Sequence, residues 1–310
     1  MEITPIVSVI IPNYCHSHFL DQRIQSVLNQ TFQDFEVIIL DDCSPDNDAS
    51  KAIIEKYRSN SHVTHIVYNE KNSGSTFRQW HKGFKLAKGQ WIWIAESDDF
   101  CEVNYLKVLT DCIRNDETIS VIYCSSIFVN SEGMVISPQA QWNYNQYRYK
   151  GSDFIAKRMG QGNGICNASA ALFRKEFALS VKKDYMKYQA AGDRLFWIYM
   201  AEMGDVLHVN EELNYFRQHA QKVTPQKTYD GTSLREEYKI NKYIVQKGYL
   251  NCWERLHSSR FYFQKIHYSN FASDEKKKEL YRLWNFNGII QKTMMLLFVK
   301  LNKLLYMLKY

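Results

Sequence analysis

No Cys-x-x-Cys pair occurs anywhere in the 310 residues, and none of the seven cysteines lies at a zinc-site spacing from a histidine. That excludes a zinc ribbon or a disulfide scaffold and leaves scattered thiols, the usage expected in a reducing compartment. Nowhere do about eighteen apolar residues run uninterrupted, so no membrane-spanning helix is expected. Met1-Glu2-Ile3-Thr4-Pro5 has no basic stretch before an apolar core, so no secretory leader is expected and the cytoplasm is the anticipated compartment. Glycine-rich phosphate cradles are missing as well: there is no G-x-G-x-x-G after a strand and no G-x-x-x-x-G-K-[ST]. Internal repeats are absent. The net charge of +6 is modest; it suits phosphate-bearing substrates or an anionic surface, and no nucleic-acid partner is expected.

What is present is an alternation of strands and helices. Val7–Ile11, Phe35–Leu40, His65–Tyr68, Trp91–Ile94 and Val121–Cys124 are short runs rich in β-branched and aromatic residues. Between them, Leu20, Ile24, Val27 and Leu28, then Ile53, Ile54 and Tyr57, then Phe77–Ala87 and Tyr105–Ile113, follow helical spacing. The pattern predicts an α/β fold with a mostly parallel, Rossmann-like sheet and helices on both faces. Pro12 is expected to stop the first strand, and Gly89 to close the third helix. Residues 137–150, rich in Gln, Asn and Tyr, read as a surface loop. Gly160–Asn167 is turn-rich, with a helix starting near Arg174, a further apolar helix opened by Asp193 and a short strand at Val206–Val209. Beyond about 229 the strands stop and the chain turns helical, basic and aromatic. The anticipated division is a catalytic domain over 1–228, with a nucleotide half to about 126 and an acceptor half over 127–228, followed by a helical region over 229–310.

Two strands of such a sheet end in acids: Asp41-Asp42 after the second, and Glu96-Ser97-Asp98-Asp99 after Trp91-Ile92-Trp93-Ile94-Ala95. Ligands of open α/β sheets sit at the carboxyl ends of strands, and carboxylates there can hold a hard divalent cation. Asp also caps helices and closes turns, so either cluster alone has two readings. Two clusters at one sheet edge, with Asp193 and Arg217-Gln218-His219 downstream, favour chemistry.

Five stretches taken together resemble the inverting, nucleotide-sugar-dependent glycosyltransferases of family 2, with the GT-A fold. They are Val7-Ser8-Val9-Ile10-Ile11-Pro12-Asn13-Tyr14, Ser26-Val27-Leu28-Asn29-Gln30-Thr31, Asp41-Asp42-Cys43-Ser44, Glu96-Ser97-Asp98-Asp99 and Tyr215-Phe216-Arg217-Gln218-His219. The resemblance runs from about residue 5 to 225. It implies that Pro12 and Tyr14 line a nucleobase pocket, that Asp42 accepts from the base, uracil in most members, and that Asp41 supports that loop. By the same resemblance Asp98 faces the ribose or the metal, Asp99 ligates Mg²⁺ or Mn²⁺, and Asp193 is the general base. Arg217 and His219 would lie near the diphosphate, with Arg78 a further candidate for phosphate or a solvated helical residue. His16 and His18 flank the first loop as weaker candidates. The implied partners are a nucleotide-sugar donor and a glycan or lipid-linked acceptor.

Three positions depart from the pattern. Glu96 stands where Asp is usual, Cys43 where Gly is usual, and Gly192 where an acid commonly precedes the base. Cys43 suggests a loop needing less φ > 0 freedom. Gly192 keeps open a non-catalytic nucleotide- or glycan-binding module. A nucleotidyltransferase, the other reading, is disfavoured by the missing glycine-rich loop. In residues 289–310, Lys292, Lys300, Lys303 and Lys309 segregate from Met295, Leu297, Leu301, Leu304, Leu305 and Leu308 on a helical wheel. A basic amphipathic helix of this kind lies in a membrane interface or packs on protein, so peripheral attachment to the cytoplasmic face is a second expectation for location.

Overall fold

The computed structural model describes residues 4–114, 116–138, 144–219, 223–286 and 288. The helix anticipated over 289–310 lies outside them. The chain gathers into two compact units, one of Met1–Gly151, Ile165–Lys187 and Phe196–Ala220, the other of Ser152–Gly164, Tyr188–Leu195 and Gln221–Tyr310. The second unit thus takes in 152–164 and 188–195 as well as the C-terminal region, where the anticipated division made one cut at 228.

In the first unit, β1 (Val7–Asn13), α1 (Ser17–Leu28), β2 (Phe35–Asp41), α2 (Ala49–Glu55), β3 (Val63–Tyr68), α3 (Thr76–Leu86) and β4 (Trp91–Ile94) follow the expected alternation. Then come β5 (Phe100–Cys101), α4 (Tyr105–Ile113), β6 (Ile119–Val129), β7 (Val135–Pro138) and β8 (Gln146–Tyr149). The short α5 (Gly151–Phe154), which past Gly151 belongs to the second unit, precedes β9 (Ala171–Arg174), α6 (Lys175–Ser180), α7 (Gly192–Met203), whose residues to Leu195 also belong to the second unit, and β10 (Asp205–Arg217). The strands form one sheet in the order β3-β2-β1-β4-β9-β6-β10-β5, with β7 on β6 and β8 on β10. The pairs β1–β2, β2–β3, β1–β4 and β6–β10 are parallel. β9 runs antiparallel to both β4 and β6, so β1, β2, β4, β6 and β10 all point their carboxyl ends to one edge. β1, β2, β4 and β9 are buried through their length, with Val9, Ile11, Val37, Ile39, Trp93 and Leu172 in one core cluster against Leu20, Ile24 and Leu106.

Four sequence expectations change. β1 continues through Pro12, which pairs with Leu40. The Ile10 carbonyl faces β4, where it accepts from Ala95 N, so Pro12, two residues on, faces the same side, beyond the end of β4 at Ile94. Its missing N–H therefore costs no ladder bond. Gly89 is needed for close approach: a Cβ there would stand 2.6 Å from Ser8 N. The stretch read as a loop over 137–150 holds the end of β7 and all of β8, an edge strand whose Tyr147 and Arg148 pair with His208 and Leu207. β9, four residues long and buried throughout, was hidden by its brevity, and the short strand at Val206–Val209 extends to thirteen residues.

The second unit is helical: α8 (Val223–Tyr229), α9 (Thr232–Gln246), α10 (Cys252–Tyr268) and α11 (Asp274–Leu283). Its core is aromatic, with Tyr262 stacked on Trp284 at 4.0 Å and Phe263, Ile266, Leu280 and Phe286 around them. Asn251 and Glu254 form a capping box at the start of α10.

Candidate active site

The ends of β1 and β2 are stitched together by short polar side chains. Asp41, 6% exposed, accepts from Asn13 Nδ2 at 2.7 Å, from Ser44 N at 3.0 Å and from Ser44 Oγ at 2.7 Å. Ser44 Oγ in turn accepts from Cys15 N at 2.9 Å. Cys43 has φ +60° and Cys15 φ +58°. The loop thus still demands the left-handed conformation, contrary to the expectation drawn from Cys43, and two cysteines adopt it at a cost on the order of 1–2 kcal/mol each. Pro12 is buried in the strand, while Tyr14 is 45% exposed at its mouth.

Asp42 is 4% exposed and anchors the loop that enters α3. Its Oδ1 accepts from Asn69 Nδ2 at 2.6 Å, Ser73 N at 2.9 Å and Gln79 Nε2 at 2.8 Å, and its Oδ2 from Ser73 Oγ at 2.7 Å. Only Oδ2, with that one protein donor, keeps room for a ligand. Arg78 is exposed and donates through one nitrogen to the Ser73 carbonyl at 3.1 Å.

The acidic turn after β4 concentrates three carboxyl groups in a poorly solvated place. Trp80 Nε1 donates to Glu96 at 2.8 Å. Burial, and after it the charge of Asp98, push the Glu96 carboxyl up to about 8; burial and Asp98 also raise that of Asp99. Asp99 is 1% exposed, and both its oxygens are taken: Oδ2 by Asn167 Nδ2 at 2.5 Å and Ser169 Oγ at 2.7 Å, Oδ1 by Arg217 N at 2.9 Å. The wholly buried Arg23 stands 4.0 Å from it and donates from Nε to the Glu96 carbonyl at 2.9 Å. Arg217, 2% exposed, spends its guanidinium inside the protein: on the Asp98 carbonyl at 2.8 Å, the Asn130 and Ser131 carbonyls at 3.2 and 2.6 Å, and Gln22 at 2.6 Å. Four of its five N–H groups are thereby occupied.

Asp98 points elsewhere. Its Oδ2 lies 2.9 Å from His219 Nε2, and His16, Asp98 and His219 each bring one ligand atom within 4.8 Å of the others. Among the described residues this is the group with metal-site geometry. His16 Nδ1 is 2.9 Å from Ser97 Oγ, the His16 and His219 rings are 5.5 Å apart, and His219 Nδ1 is buried without a hydrogen-bond partner. The residues fit a divalent cation on two grounds. A buried imidazole nitrogen of the group, His219 Nδ1, has no hydrogen-bond partner, and two imidazoles with one carboxylate are a ligand set for first-row ions.

Asp193 belongs to the second unit, in the first turn of α7. Its Oδ2 accepts from Asn163 Nδ2 at 2.7 Å and its Oδ1 from Arg194 N at 2.7 Å. Burial pushes its carboxyl up to about 6, a value suited to a group that takes a proton near neutral pH.

The structure thus brings Asp98 and His219 together with His16 and sets Asp99 and Arg217 into the scaffold behind them. Sequence reasoning underweighted His16 and passed over Arg23, Asn163, Asn167 and Ser169. A buried Arg in the middle of the apolar face of α1 was a legible signal; the others, lone polar residues far along the chain, carried none.

The model of the family described as "Glycosyl transferase family 2" matches residues 8–179. Chondroitin synthase of Escherichia coli is 33% identical over 142 residues, covering 46% of this chain and 20% of that protein. The poly(ribitol-phosphate) beta-N-acetylglucosaminyltransferase TarP of Staphylococcus aureus is 35% identical over 105 residues, covering 33% of this chain and 31% of that protein. The matched regions are thus about a fifth and a third of those relatives. The crystal structure of S. aureus TarS residues 1–349 in complex with UDP-GlcNAc superimposes with a TM-score of 0.63 at 19% identity, covering 89% of this chain and 79% of that one, a likeness of fold.

Proposed function

Since the chain belongs to glycosyl transferase family 2 and has the GT-A fold, we propose that it transfers a sugar from a UDP-linked donor to a hydroxyl of a glycan or lipid-linked acceptor in surface-polysaccharide assembly, by single displacement with inversion. The observation that carries this reading is the His16–Asp98–His219 group beside the acidic turn at the carboxyl edge of the sheet. One relative named chondroitin synthase, another named a poly(ribitol-phosphate) beta-N-acetylglucosaminyltransferase, and the UDP-GlcNAc bound to TarS support the donor and acceptor classes.

In this mechanism Tyr14 stacks on the base and the free side of Asp42 Oδ2 accepts from it, while Asp41 keeps the loop in shape. Asp98, His219 and His16 would hold Mn²⁺ or Mg²⁺, which when bound supplies Lewis-acid stabilisation to the departing diphosphate. Asp99 and Arg217 fix the turn that presents Asp98, and the exposed Arg78 guanidinium offers charge to phosphate. Asp193 takes the acceptor proton as bonding to the anomeric carbon develops. A hexosyl or N-acetylhexosaminyl donor is part of the proposal, supported by the names of the relatives.

A panel of nucleotide sugars, each with Mn²⁺ or Mg²⁺ and scored for nucleoside diphosphate release, tests the proposal. Release is expected with a UDP-sugar, and Mn²⁺ should outperform Mg²⁺, because imidazole nitrogen is a poor match for Mg²⁺, which prefers all-oxygen shells. Donor binding without release under any condition would instead leave the non-catalytic module.

The acceptor proposal extends to the membrane surface. Residues 221–310 hold 17 of the 39 Lys and Arg but 7 of the 33 acids, so the basic excess lies wholly in the C-terminal region, where each Lys or Arg near an anionic leaflet adds about 1 kcal/mol. The full chain should co-sediment with phosphatidylserine-containing vesicles at low salt and be released at high salt. A chain that stays in the supernatant at low salt has no such attachment.

A further inference from the structure

Gly192 carries no side chain, so the first residue of α7 cannot tie down the segment that delivers Asp193. We propose that Glu236 does so from α9, as a positioning residue for the base; this rests on the reading of Asp193 given above. Glu236 is 8% exposed. Its Oε1 accepts from Gln189 N at 2.7 Å, and its Oε2 from Ala190 N at 2.9 Å and Ala191 N at 3.0 Å. Three consecutive backbone N–H groups thus converge on one carboxylate immediately before the helix begins.

Such a run of N–H groups is an anion-binding concavity, and the protein fills it with its own charge. The N–H groups preceding a helix have no partner within it, and here the partner comes from a helix 45 residues further along the chain. The segment is held at a second point, since Lys227 Nζ donates to Gln189 Oε1 at 2.7 Å. The neighbouring Glu237 is engaged separately, by Lys265 Nζ at 2.7 Å and Ser233 Oγ at 3.2 Å, so the clamp on 189–191 belongs to Glu236. Pinning three residues leaves Gly192 as the single backbone joint between a fixed strap and Asp193, whose own carboxylate is aimed by Asn163 and by Arg194 N. Loss of the clamp frees that joint, and a misplacement of about 1 Å at a reacting group costs on the order of 10²-fold in rate.

Glu236→Gln is the informative variant. Its amide has one acceptor oxygen, and its NH₂ group would face backbone donors. Turnover is expected to fall by about 10- to 100-fold with KM for the donor unchanged within about twofold, while Glu236→Asp, which keeps the charge on a shorter arm, recovers part of the loss. A folded Glu236→Gln enzyme with wild-type kcat overturns the proposal, as does a loss that falls on donor KM. Asp193→Asn run alongside separates the two readings: if it too turns over normally, the base assignment has failed, and if it alone is inactive, only the role of Glu236 has. Should Glu236→Gln not fold, Glu236→Asp and amide exchange of the wild-type enzyme decide the matter. Amides 189–191 should exchange slowly although they precede the helix, and exchange at the rate of an open loop overturns the clamp.

Discussion

Asp193→Asn is expected to lower turnover by about 10²–10⁴-fold while leaving donor affinity unchanged. Asn keeps the size of Asp and can still accept from Arg194 N through its one carbonyl oxygen, giving up the bond that the second carboxylate oxygen takes from Asn163, but it takes up no proton. The wild-type carboxyl is pushed up to about 6 by burial, and the sign of its pH dependence follows. The competent form is the carboxylate, so kcat should rise as pH increases through about 6 and flatten above it, and this acid limb should vanish from the residual rate of Asp193→Asn. Steady-state kinetics from pH 5 to 8, with calorimetric donor binding, measure both. An acid limb that persists in the variant would assign the titration to another group, and a wild-type rate would return Asp193 to the helix-initiating role its sequence position also allows.

Asp98 and Asp99, adjacent in the chain, are expected to fail in opposite ways. Asp98→Ala or His219→Ala should remove metal-dependent turnover by about 10²-fold or more, the scale of losing one well-placed electrostatic stabiliser, with a smaller drop in melting temperature than Asp99→Ala, because neither removes the acceptor of several buried donors. Asp99→Ala should instead destabilise the first unit by about 3–5 kcal/mol, since it leaves Arg23 without a counter-charge in a buried site. The same change strips the acceptor from Asn167 Nδ2, Ser169 Oγ and Arg217 N. Mn²⁺ titration of activity beside thermal melts tells the variants apart. Should Asp99→Ala melt normally and lose its response to Mn²⁺, the metal belongs to Asp99, as its place in the motif suggests.

That reversal locates the line between what the chain's residues dictate and what their packing decides. The order of apolar runs at strand and helix spacing was enough for the parallel sheet, because burying both faces of β1, β2 and β4 leaves no other arrangement for such runs. Aromatic and basic composition marked the helical region after 229. The motifs Asp41-Asp42 and Glu96-x-Asp98-Asp99 marked the right strand ends, since an acid inside a buried strand needs its own hydrogen-bond partners, as Glu36 has in Ser8, Thr64 and Lys88 N, and clustered acids gather where the strand leaves the sheet. Spacing could not say which acid faces outward. Asp98 and Asp99 differ by one step around a turn, and the choice fell to partners 68 to 121 residues distant: Asn167, Ser169 and Arg217 N draw Asp99 inward, while His219 meets Asp98. β9 stayed unseen because four residues have no periodicity to read, although they close the gap between β4 and β6. Glu236 beside Glu237 looks like a solvated pair on a helix, and only the approach of 189–191 makes one of them a clamp. Local sequence determined the elements and the edge at which the chemistry gathers; long-range hydrogen bonding, invisible to any window of sequence, decided which side chains remain free to act there.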